Sequence, residues 1–139
     1  MPLIISVTDA PAPKDLDFLG KSLAGFNDTA VGPSGRQPLA VLVRQGADIV
    51  AGISGYTAWG WLYTQWLWIA DSHRGQGLAG TMLAHAEAEA RRRDCHGAYI
   101  DTFNPQALHV YEKAGYAVFG ALPDFPPGRT RSFLSKSLK

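Results

Sequence analysis

The stretch from Leu67 to Gly80 constrains this chain more than any other. An apolar run ends at Ala70, four polar residues follow, glycines fall at positions 75, 77 and 80, and apolar residues at helical spacing continue to Arg93. Strand, glycine-rich turn and helix in that order present unpaired backbone N–H groups. The first N–H groups of a helix have no internal partner, and the aligned peptide dipoles put roughly half a positive charge there. Glycine adds left-handed backbone and close approach of a ligand to the main chain. The segment therefore predicts a site for a phosphate-bearing ligand, with Arg74 beside the turn as a charged donor. The plainer alternative is a surface turn that uses glycine for tightness.

The 139 residues suit one domain with a single core, and their 46% apolar and 18% charged content is that of an ordinary globular protein. A net charge of +1 gives no reason to expect nucleic acid or an anionic membrane as a partner. The one basic run, Arg91 to Arg93, falls where a helix should end and favours the negative end of its dipole. Cys95 is the single cysteine, which excludes an internal disulfide and, with no partner beside it, reads as an idle thiol in a reducing compartment. No secretion signal or membrane-spanning run is seen, so a cytoplasmic location is expected. No cluster of residues suggests a metal.

Read in order, Leu3 to Val7 predicts a first strand and Lys14 to about Asn27 an amphipathic helix carrying Leu16, Leu19, Leu23 and Phe26. Pro38–Arg44, Ile49–Ala58 and Leu62–Ala70 form three strands whose connections are too short for crossovers, hence an antiparallel meander. Tyr56, Trp59, Trp61, Tyr63, Trp66 and Trp68 crowd it, as cross-strand pairs more readily than as a cation cage. The helix after the glycines buries Leu78, Met82, Leu83, Ala86 and Ala90, with Glu87, Glu89, Arg91 and Arg92 on its wet face and His85 at the surface. Gly97–Phe103 follows a crossover helix and so lies parallel to the fourth strand. A helix opened by Asn104-Pro105 and closed by Gly115, a strand from Tyr116 to Phe119, a proline-rich loop over 122–129 and a last strand from Thr130 to Leu138 complete an α/β (α+β) chain with a mixed sheet of about seven strands.

Residues Gly75 to Gly80 match the dinucleotide pattern G-x-G-x-x-G, and Asp101 lies where a ribose-binding acid would. Asp71 to Arg74 separate the glycines from the strand, however, and 38 residues after Asp101 are too few for the remaining units of a dinucleotide fold. The same segment, Arg74-Gly75-Gln76-Gly77-Leu78-Ala79, reads R-x-x-G-x-A, and it resembles the acyl-coenzyme A pyrophosphate loop of the GCN5-related N-acetyltransferases. Asn104, Ala107 and the run Tyr111-Glu112-Lys113-Ala114-Gly115-Tyr116 resemble a second motif of that family. The resemblance covers roughly Trp61 to Phe119.

The resemblance implies a splayed parallel pair in a mostly antiparallel sheet, acetyl-CoA as co-substrate, and transfer of an acetyl group to a primary amine. It implies that the backbone of Leu67, Trp68 and Ile69 pairs with the pantetheine arm, and that the backbone of Arg74, Gly75, Gln76, Gly77, Leu78, Ala79 and Gly80 holds the pyrophosphate. Asn104 would bond the pantetheine or shape the splay, and Tyr111 would protonate the departing thiolate. The last role suits a phenol of pKa about 10 facing a thiol of pKa about 8.5; a core tyrosine with a satisfied hydroxyl is the plain alternative.

No cysteine or Ser–His pair is placed to carry the acetyl group, so direct attack by the amine is expected. The amine, with a pKa near 10.4, must first lose a proton. Relatives often place a carboxylate where this chain has Gln65, which cannot act as base; a water chain, Asp71 or His109 are the candidates left, while Asp101 and Glu112 read as surface or supporting groups. The family's acceptor site would fall near Asp28 and the loop carrying Asp124 and Phe125, the two carboxylates attracting a cationic small-molecule or peptide amine. Relatives are often dimers, and the aromatic hairpin or last strand could serve a homodimer, but the sequence leaves the oligomeric state open. The competing functions are an acyl-CoA-binding module that has lost its chemistry and, more remotely, an NAD-type dinucleotide-dependent oxidoreductase.

Overall fold

Alternating burial sets the sheet. β1 (Gln37–Gln45), β2 (Asp48–Ala58) and β3 (Trp61–Ile69) form the expected antiparallel meander. α2 (Leu78–Arg92) then crosses over to β4 (Gly97–Thr102), which runs parallel to β3. α3 (Pro105–Lys113) leads to the hairpin of β5 (Ala117–Pro123) and β6 (Thr130–Ser137), and β6 inserts between β5 and β4. The sheet has six strands in the order β1-β2-β3-β4-β6-β5. This computed structural model describes all residues, Met1–Lys139, and divides them into two compact units, Met1–Ser34 and Gly35–Lys139.

The first unit is α1 (Pro13–Val31), preceded by irregular chain. Pro13 at the first helical position and Asp15 in the first turn suit a helix start, and Gly32, with φ 87°, ends it. The strand expected at Leu3–Val7 is not formed, which is why the sheet has six strands rather than seven. β-branched residues favour extended backbone, but a strand exists only when a neighbour pairs with it, and this unit contains no other strand.

In the second unit one face of the sheet is dry. Leu39, Ile53, Leu62, Ile100 and Leu134 pack there against Met82, Leu83, Ala86 and Ala90 of α2 and Tyr111 of α3. Truncating a fully buried member such as Leu83 to Ala should cost about 2–5 kcal/mol. Glu87 corrects the expected wet face of α2: it is buried, accepts from Tyr116 Oη at 2.9 Å and from Lys136 Nζ at 2.7 Å. It lies four residues after Leu83, on the core stripe, and helical geometry outweighs its charge because β6 supplies the cation. The basic run does close the helix. Arg92 and Arg93 bond Glu89, and Arg93 also reaches Thr57 Oγ1 at 3.1 Å. The other face of the sheet carries the aromatic pairs, with Tyr63 and Tyr99 stacked at 4.6 Å across the parallel step and Tyr56 edge-on to Tyr63.

Candidate active site

The parallel step is short, and the site begins where it ends. β3 and β4 pair only from Trp61↔Gly97 to Thr64↔Ile100. Beyond that point β3 stays with β2, through Trp66↔Ser54 to Ile69↔Ala51, while β4 stays with β6. From Gln65 onward, the edge of β3 that faced β4 therefore has no strand partner. Gln65 itself is the unopposed residue of a bulge, since Ser54 faces Trp66 and Gly55 faces Thr64. Gly55 makes the bulge feasible: a Cβ there would collide with the carbonyl oxygen of Tyr63.

Between the parted strands lies a cavity of about 410 Å³, lined on its floor by Thr64, Leu67, Ile100 and Tyr111 and on its flank by Asp101 and Arg131. Tyr111 is brought here by α3. Asn104 caps that helix, its Oδ1 accepting from the N–H of Gln106 (2.9 Å) and Ala107 (3.4 Å), and Pro105 occupies the first helical position. The capping role uses the Oδ1 of Asn104 within its own helix. Burial, and after it the charge of Asp101, push the Tyr111 phenol up to about 12.

Asp101 is half-buried rather than a surface group. Its Oδ1 accepts from Arg131 Nε at 3.0 Å and Nη2 at 2.7 Å, and its Oδ2 accepts from Tyr63 Oη at 2.9 Å. Both carboxylate oxygens are therefore engaged within the protein, and neither is left clear for a ribose. Arg131 also lies over the ring of Phe125, 4.6 Å from its centroid, and so links the β5–β6 loop to the cleft. Asp124, in the same loop, has φ 54°, and its Oδ1 accepts from Gly128 N at 3.5 Å. Asp28 sits on α1, in the other unit.

At the end of β3 the chain makes a short 3-10 turn over Asp71–His73 and enters α2 through two left-handed glycines, Gly75 (φ 75°) and Gly77 (φ 76°). A Cβ at either position would meet nothing within 4 Å, so glycine is required here for its dihedral angle rather than for space. No side chain caps α2. Its first internal bond runs from Thr81 N to Gly77 O at 3.2 Å, which leaves the N–H groups of Leu78, Ala79 and Gly80 without acceptors in the helix. Arg74 turns back instead of forward. It pairs with Asp71 at 2.6 Å and donates to Ile69 O at 3.1 Å, joining the loop to the last residue of β3.

A model of the acetyltransferase (GNAT) family matches residues 11–116. The chain belongs to the GNAT acetyltransferase family. An acetyltransferase of Agrobacterium fabrum is 39% identical over 135 residues, covering 96% of both chains. The blasticidin-S acetyltransferase of Streptomyces morookaense is 37% identical over 92 residues, 66% of this chain and 68% of that one. A crystal structure of an acetyltransferase from Agrobacterium tumefaciens superposes with a TM-score of 0.92 at 36% identity, covering 97% of this chain and 99% of that one. Membership makes the protein an acetyl-CoA-dependent N-acetyltransferase, and the oxidoreductase alternative falls.

The GNAT motifs in the sequence led to the loop, Asn104 and Tyr111. They did not lead to Thr64, Tyr63 or Arg131. Strand alternation was the signal available: Tyr63, Tyr99, Asp101 and Arg131 occupy one face by period-2 spacing once the register of β3, β4 and β6 is known.

Proposed function

We propose that this GNAT enzyme acetylates a small-molecule primary amine by direct attack on the thioester, with Tyr111 donating a hydrogen bond to the departing sulfur. The observation that carries the reading is the continuity of three features: an unpartnered edge of β3, a buried tyrosine in the cleft beside it, and a loop of unpaired N–H groups at its end. The edge from Gln65 to Ile69 can pair with an amide-bearing arm as an added strand would. The N–H groups from Gly75 to Gly80 suit a pyrophosphate, which needs many donors and no particular side chain. Acetyl-CoA supplies the activated acyl group; the chain's own residues bind, orient and manage protons.

Tyr111 is protonated throughout the neutral range, because its pKa lies near 12. Outright transfer to a thiolate of thiol pKa about 8.5 is uphill. The phenol therefore acts by donating a hydrogen bond as sulfur departs as a thiolate, and the thiolate takes its proton from solvent once the bond has broken. Gln65 offers no carboxylate, and Asp101 is engaged by Arg131 and Tyr63. The amine's proton then leaves through water toward Asp71, His109 or a backbone carbonyl. The relative acting on blasticidin S supports a small, polar, amine-bearing acceptor, with Phe125 and Asp124 at the cleft's outer loop as candidate contacts.

The test is calorimetric titration of acetyl-CoA, followed by turnover with blasticidin S and a panel of small amines and peptides, Tyr111→Phe serving as control. Binding with turnover of at least one amine supports the reading. Binding with no turnover across the panel favours the non-catalytic acyl-CoA module, and absence of binding overturns both.

A further inference from the structure

We propose that the hydroxyl of Thr64 is part of the site, donating a hydrogen bond to the carbonyl oxygen of the acyl group at the cleft floor. This rests on the reading that acetyl-CoA occupies the cleft. Thr64 is 2% exposed, and its Oγ1 is the one buried side-chain polar atom without a hydrogen-bond partner. Of the other buried polar side chains, Glu87 is answered by Tyr116 and Lys136, and Thr57 by Arg93. A buried hydroxyl with no partner weakens a fold, and valine has the same branched shape and would fill the position without that cost. The orphan is also in a telling place. Thr64 is the last residue of β3 paired with β4, it precedes the bulge at Gln65, and it lines the same cavity as Tyr111.

A donor at the vertex of the splay and a phenol on α3 give that cavity two hydroxyls for the two polar atoms of a thioester. Tyr111 serves the sulfur, and Thr64 serves the carbonyl oxygen. A bond to that oxygen strengthens as negative charge develops on it during attack, so the same contact that recognises the acyl group also assists transfer.

The experiment compares the dissociation constants of acetyl-CoA and of free CoA for the wild type, Thr64→Val and Thr64→Ser. Neither ligand pair requires the acceptor to be known. The inference expects Thr64→Val to weaken acetyl-CoA by about 3- to 10-fold, as loss of one hydrogen bond should, to leave CoA unchanged, and to melt no lower than the wild type when unliganded. Thr64→Ser should restore the preference for acetyl-CoA. An acetyl-CoA to CoA ratio that is the same in the wild type and Thr64→Val overturns the inference, and assigns the hydroxyl to water or to strand packing. If the valine variant does not fold, Thr64→Ala provides the same ratio. Wild-type protein that binds neither ligand overturns the cleft reading itself, and this inference with it.

Discussion

The glycine loop and the cleft are neighbours along β3, yet they are built on opposite plans. The loop is made of backbone. Its donors are consecutive N–H groups between Gly75 and Gly80, positioned by two left-handed glycines and the start of α2. The cleft is made of side chains that lie far apart in the chain: Thr64 from β3, Asp101 from β4, Tyr111 from α3 and Arg131 from β6. A backbone site tolerates most changes of side chain but not a change of dihedral angle or the arrival of a negative charge. A side-chain site is sensitive to single atoms and indifferent to glycine. Under the proposed function the loop would hold the invariant, phosphate-bearing part of the co-substrate, and the cleft would recognise and react the variable part.

The contrast breaks most sharply at Gly77. Gly77→Glu forces a side chain into φ 76° and adds a carboxylate where anions are favoured, and acetyl-CoA affinity should fall on the order of 100-fold or more. Calorimetry reads this directly, and an unchanged affinity would separate the loop from the phosphate role. Tyr111→Phe tests the other side. It should lower kcat by about 100-fold while leaving acetyl-CoA binding within roughly twofold, since it removes a donor used only as the bond breaks. Loss of binding with kcat intact would make Tyr111 a packing residue.

Asp101→Asn leaves the half-buried Arg131 without its carboxylate and weakens the bond from Tyr63. A stability loss of about 1–3 kcal/mol is expected from chemical denaturation, along with a weaker hold on the Phe125 loop, seen as a raised KM for the acceptor. Alkali probes both faces of the sheet. Tyr99 and Tyr111 have folded values of about 12 against an ordinary 10.0. A raised folded pKa means their contribution is fully present below pH 10 and is lost as pH rises through about 12, so melting temperature should fall across that window in step with phenolate absorbance. Phenolate appearing at pH 10 with no loss of stability would show these hydroxyls to be solvated. The smallest effect is at the rim: Asp124→Asn should raise KM for cationic amines by no more than about threefold, because an exposed carboxylate is screened by solvent.

Much of the fold was legible because it is local. The meander of β1 to β3 is announced by turns too short for crossovers, and the parallel step by a helix between two strands. Asn104 and Pro105 open α3 by capping rules that involve only the next three residues. The misreadings are the places where a distant partner decides. Leu3–Val7 has the composition of a strand but no strand beside it, and Glu87 has the charge of a surface residue but faces Lys136, 49 positions away, across the core.

By itself, the sequence determined the family, the glycine-rich turn into α2 and the tyrosine of the second motif. Each depends on residues within about a dozen positions of one another, and backbone geometry converts such spacing into structure directly. Only the tertiary structure decided that Gln65 is a bulge residue, that Asp101 is held by Arg131 and Tyr63, and that the hydroxyl of Thr64 is buried without a partner. Those facts depend on register: a shift of one residue in any of β2, β3, β4 or β6 would turn the same side chains to the other face, and registers are set by packing across the whole sheet.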